Sequence, residues 1–101
     1  MAEDLRSLNQ FPAFHNFSAA VTTTEILLPS TAKYITAGSS SKAIYICRNG
    51  ATDGGAIPTH RAFVPASNYL KLSLSRGLER VSSVFVAVQS GTGEISIILE
   101  E

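Results

Sequence analysis

Apolar and polar residues alternate with a period of two in four stretches of the chain, the spacing expected of β-strands with one buried face. In Lys42 to Arg48, Ile44 and Ile46 fall on one face and Tyr45 and Cys47 on the other. Leu70, Leu72 and Leu74 alternate with Lys71, Ser73 and Ser75, a pattern for a sheet wet on one side. Val84, Val86 and Val88 alternate with Phe85 and Ala87, and Ile95, Ile97 and Leu99 follow after Ser90-Gly91-Thr92-Gly93. This last pair of runs, joined by a short glycine-containing link, predicts a β-hairpin.

Three weaker strand signals fill the gaps. Thr22 to Leu28 is β-branched and apolar and stops at Pro29-Ser30. A short strand is predicted around Ala32 to Thr36, before Gly38 and three serines. Ile57 and Phe63 flank Pro58 and His60, which suggests an edge strand because proline cannot donate to a ladder. Asn49-Gly50 opens a turn-rich loop running through Asp53-Gly54-Gly55. Seven or eight short strands with no helical pattern after residue 17 predict an all-β fold, a small jelly-roll or Greek-key β-sandwich.

The N-terminal stretch is different. Leu5, Leu8, Phe11, Phe14 and Phe17 recur every third residue, and Pro12 argues against one continuous helix through them. The spacing predicts a short helix before Pro12 and an extended segment after it. Residues 1–16 are therefore read as an extended arm and residues 17–101 as the sandwich domain. Three phenylalanines in seven residues would each contribute roughly 1.5–3 kcal/mol if buried, so an arm left in water is unfavourable. Either it covers a sheet of its own domain or it lies across a neighbouring subunit; on the second reading the five residues form an interface.

Composition narrows the function. The chain has 101 residues, room for one domain, and 45% hydrophobic content, which supports a core. Eight basic residues balance eight acidic ones, giving little steering toward nucleic acid or anionic membrane, so neither is an expected partner. The single cysteine, Cys47, allows no internal disulfide. No apolar run approaches a membrane helix, and no signal-peptide pattern follows Met1, so synthesis in the cytoplasm is expected.

Candidate chemistry is sparse, and no catalytic residue, cofactor or metal is predicted. Ser39-Ser40-Ser41-Lys42 contains Ser-x-x-Lys, but its companion motifs are missing and the site lies between strands, so a serine turn is the simpler reading. One Cys and two His, at 15 and 60, raise the question of copper, but a blue-copper site also wants an axial ligand, usually Met, and the only Met is residue 1. In its alternating strand Cys47 is expected to point inward as a small buried hydrophobe. Arg48, His60 and Arg61 could form a local anion-binding patch, the plainer alternative being solvated edge-strand residues. Without Trp, and with Tyr34, Tyr45 and Tyr69 in or beside strands, sugar stacking is less expected than packing.

From Thr24 to Leu99 the order of signals resembles the small β-sandwich virion proteins of tailed bacteriophages, the head-decoration or cement proteins and their neck and tail relatives. The resemblance runs through Ile26-Leu27-Leu28-Pro29, Ala43 to Gly50, Ile57-Pro58, Leu70-Lys71-Leu72 and Val84 to Gly93 with its following strand. It covers about three-quarters of the chain and leaves out the arm. It implies a non-enzymatic structural protein, located in the virion, that forms a homo-oligomer (dimer or trimer) and binds the major capsid protein or another virion protein. The alternatives are a neck or tail-fibre adaptor and a free carbohydrate-binding module.

Overall fold

A computed structural model of the chain describes residues 2–48, 50–76, 79–80 and 82–101. The expectation placed on Asn49 lies outside the described residues. Eleven strands are present: β1 Glu3–Asp4, β2 Ala13–Ala19, β3 Thr24–Leu27, β4 Tyr34–Ser39, β5 Ile44–Cys47, β6 Ala62–Val64, β7 Asn68–Ser73, β8 Ser75–Arg76, β9 Glu79–Arg80, β10 Ser83–Val88 and β11 Gly93–Glu100. They form a five-stranded sheet, β1-β3-β10-β5-β6, a four-stranded sheet, β2-β11-β4-β7, and a separate β8-β9 ribbon. The two large sheets pack face to face as a small all-β sandwich, as the alternation predicts.

Period-two patterning decides which side chains meet between the sheets. Ile26, Ile44, Ile46, Val84, Val86 and Val88 enter the core from the five-stranded sheet. Ile35, Ala37, Ile95, Ile97 and Leu99 meet them from the four-stranded sheet. Burying a side chain of this size contributes roughly 1.5–3 kcal/mol. The strands with the longest apolar alternation, β10 and β11, therefore occupy interior positions of their sheets.

Three expectations need correction. The Val84–Val88 and Ile95–Leu99 runs do not form a hairpin. β10 pairs antiparallel with β3 and β5, whereas β11 pairs antiparallel with β2 and β4. Residues 89–92 instead arch from one sheet to the other. Both runs have one strongly apolar face, and two such faces bury more surface by facing each other across the core than by lying side by side.

The short helix expected before Pro12 is also not formed, and no helix occurs among the described residues. Glu3–Asp4 pairs parallel with Ile26–Leu27, and the Leu5 amide extends that contact by donating to the Leu27 carbonyl at 2.9 Å. Beyond a cis Phe11–Pro12 peptide, β2 pairs with β11 over its whole length, from Ala13 opposite Leu99 to Ala19 opposite Gly93. The 16/17 boundary read between arm and sandwich thus falls inside β2, and the segment before it supplies an edge strand to each sheet.

The third correction concerns Ile57 to Phe63. The edge strand there is β6, three residues long and paired with Ile44–Ile46, while residues 57–61 lie outside it. Proline at 58 excludes that segment from a ladder more fully than the sequence reading allowed.

Cys47 is buried, as expected, but from the opposite side. It shares a face with Phe85 and Ala87, which point away from the inter-sheet core and are nevertheless buried. Their cover is the loop that leaves β5. Thr23 and Gly54–Gly55 exchange backbone hydrogen bonds, the Thr23 hydroxyl bonds the Thr52 carbonyl, and the Asp53 carboxylate accepts from the Glu25 amide at 2.9 Å. β3 and β5 lie on opposite sides of β10, so a loop that starts at β5 and anchors on Thr23 and Glu25 must cross it.

Candidate functional site

Two surfaces concentrate chemistry beyond the core. The first is the outer face of the four-stranded sheet. Register places Phe14, Ile98, Thr36 and Lys71 in one row across β2, β11, β4 and β7. The adjoining row is Asn16, Ser96, Gly38 and Tyr69, and on the other side Glu100, Tyr34 and Ser73 stand abreast. Phe14 is 69% exposed, Tyr69 49% and Tyr34 39%, around a half-buried Ile98. Large aromatics grouped on one sheet face are an unusual use of surface, because each leaves apolar area in water.

Local contacts hold this face in shape. A Cβ on Gly38 would fall 2.6 Å from Cδ2 of Tyr69, so only glycine at that position lets the ring lie against the strand. The Lys71 ammonium stands 4.7 Å from the Tyr34 ring centroid and 3.2 Å from a Glu100 carboxylate oxygen. The patch therefore has aromatic members and a charged border of both signs.

The five arm residues divide between core and surface. Leu5 is buried in the core, and Leu8, Phe11 and Phe17 pack against it partly exposed. Phe14 alone of the five projects outward, because alternation in β2 sends Ala13 and Ala19 into the core. The five therefore do not form one common surface.

The second surface is a cavity of about 560 Å³ at one side of the sandwich. Its origin lies in strand lengths. β6 covers β5 only as far as Ile46, so Cys47 and Arg48 extend past it. The half-buried Leu72 and Ala62 and the buried Ile46 form an apolar floor, the exposed Arg48 and Arg61 supply cations, and the exposed His60 adds an imidazole. The three residues that the sequence suggested as an anion patch thus share one cavity. Leu72, which completes it, comes from the opposite sheet.

Arg61 and His60 each lie against a neighbour. The Arg61 guanidinium carbon lies 3.9 Å from the Tyr45 ring centroid, and Tyr45 in turn meets Phe63 at a centroid distance of 5.6 Å. The His60 ring sits close against Gly50, whose φ of 80° lies in the left-handed region; a Cβ there would come within 2.7 Å of Nε2. Cys47 borders the same cavity, and burial raises its thiol pKa above the ordinary value, keeping it in the neutral form.

The other motifs have local roles. Ser39 is buried, and its hydroxyl oxygen accepts from the backbone amides of Ser41 and Lys42, closing the serine turn. His15 bonds Glu3 on the opposite edge of the sandwich, at 2.7 Å. Among the described residues no group of three His, Cys, Asp or Glu side chains is placed to hold a metal ion.

By fold this is a small two-sheet β-sandwich. Compared with protein-family models, curated proteins and solved structures, the chain has no match. The virion resemblance therefore rests on the sequence signals alone.

Proposed function

We propose that the chain is a non-catalytic assembly module that docks through the outer face of its four-stranded sheet. The setting implied by the resemblance is a phage head, where it would act as a decoration protein binding capsid subunits from outside. The supporting observation is the exposed set of Phe14, Tyr34 and Tyr69 around Ile98. Aromatic side chains ringed by polar ones form the energetic centre of many protein interfaces. A neck or tail-fibre adaptor would use the same face in a different part of the particle.

Native mass spectrometry of the purified protein is the first test, with a dimer or trimer expected. Phe14→Ser combined with Tyr69→Ser should dissociate it while leaving the β-type circular dichroism spectrum intact. A parent that is monomeric at all concentrations and missing from the proteins of purified particles would overturn the proposal. One observation favours a second reading, carbohydrate binding: Tyr69 lies against Gly38 as an exposed ring, a geometry suited to stacking on a sugar. That reading expects a monomer whose saturable oligosaccharide binding is lost in Tyr69→Ala.

A further inference from the structure

We propose that the cavity between the end of β5, the start of β6 and Leu72 is a binding site for an oxyanion, a phosphate or carboxylate, carried on an apolar group. This inference is independent of the docking face. It rests first on charge. Arg48 and Arg61 line the cavity, and its lining residues include no carboxylate. Elsewhere Arg6 pairs with Asp4 at 2.8 Å and Lys71 with Glu100 at 3.2 Å, whereas among the described residues neither Arg48 nor Arg61 has an ion-pair partner. Two like charges beside one concavity repel each other until an anion occupies it.

The second ground is preorganisation. Stacking on Tyr45 restricts the Arg61 guanidinium, and the His60 ring lies close to Gly50. A guanidinium held by an aromatic face keeps its N–H edges available, and those edges match the paired oxygens of a carboxylate or phosphate. Less side-chain freedom then remains to be lost on binding.

Size and lining define the rest of the ligand. About 560 Å³ falls within the range of roughly 300–1,000 Å³ common to small-molecule pockets and exceeds what an inorganic ion fills. The floor of Ile46, Ala62 and Leu72 offers no charge, so the part of the ligand lying against it must be apolar. An aryl or short alkyl phosphate or carboxylate meets both demands.

The test is a titration of the ¹⁵N-labelled full chain at low salt with phenyl phosphate, benzoate, inorganic phosphate and phenol. Phenyl phosphate or benzoate should give saturable shifts at Ile46, Cys47, Ala62 and Leu72, and should bind at least about tenfold more tightly than phosphate or phenol alone. Arg48→Gln with Arg61→Gln should weaken that binding by at least about tenfold, with the melting curve of the variant confirming its fold. Phenol binding as tightly as phenyl phosphate would overturn the oxyanion role, and phosphate binding as tightly would overturn the apolar one. An unaffected double variant, or no saturation by about 10 mM of any probe, would overturn the site itself.

Discussion

Glu3 and His15 belong to edge strands of different sheets, and a carboxylate oxygen of Glu3 lies 2.7 Å from His15 Nε2. The pair joins β1 to β2 across the side of the sandwich, and the His15 ring also stacks on Phe17 with centroids 5.9 Å apart. Both side chains are about one-third exposed. Glu3→Gln and His15→Ala should each destabilise the domain by about 1 kcal/mol, and the double variant by less than the sum. Denaturant melts of the four proteins check this; strict additivity would mean that the contact carries no energy.

Removal of residues 2–16 should cost more. It deletes β1, Leu5 and the first half of β2, so both sheets lose an edge and the core loses cover. The truncated chain should melt at lower temperature even when monomeric and should bind hydrophobic dye. An unchanged melting temperature combined with lost assembly would instead favour a segment that acts on a neighbour.

Val86 is fully buried between β3 and β5 at the inter-sheet core. Val86→Asp places a carboxyl group there without a partner, at a cost on the order of the whole stability of a small domain, about 5–15 kcal/mol. The expected result is an unfolded circular dichroism spectrum at room temperature. A variant that melts within a few degrees of the parent would refute the assignment of that face.

Burial holds the Cys47 thiol above its ordinary pKa of 9.0 and restricts reagent access. In the native protein at pH 8, a disulfide reagent should modify Cys47 at least about tenfold more slowly than in denaturant. Equal rates would show that the loop over the β10 face does not cover it.

Asp4 accepts from the backbone amide and the guanidinium of Arg6, and the side-chain bond is the main reason that its pKa falls from 3.8 to about 2. The carboxylate is the form favoured by the fold. Any stabilisation from it is complete above about 3.8 and is lost as pH falls through about 2. A carboxyl ¹³C titration should find the low midpoint, and Arg6→Gln should move it upward toward an ordinary aspartate. No upward shift would exclude Arg6 as the cause.

Alternation made the strands legible. Ile44 with Ile46, Val84 with Val86 and Val88, and Ile95 with Ile97 and Leu99 all enter the core as their spacing predicts. Alternation assigns a face, however, and says nothing about the partner strand, so a short arch between sheets was read as a hairpin. The period of three in the arm arises from a two-residue strand, a turn and an edge strand in succession, which no single periodicity describes. Arg48, His60 and Arg61 could be named as a patch from their types, but Leu72 joins them only through the packing of two sheets. The contact of Tyr69 with Gly38 depends likewise on register between strands distant in sequence.

The positions of β10 and β11 govern the order in which this protein can fold as it is synthesised. Before Ser83 leaves the ribosome, only the β1–β3, β5–β6 and β4–β7 pairs of the two large sheets have both members available. β3 and β5 have no shared neighbour until β10 is made, and β2 and β4 have none until β11 is made. Each large sheet therefore closes around a strand delivered late, by contacts between distant segments, the kind that form slowly. Until then Ile26, Ile35, Ile44 and Ile46 have no opposing layer, and the nascent chain carries its future interior as exposed, association-prone surface.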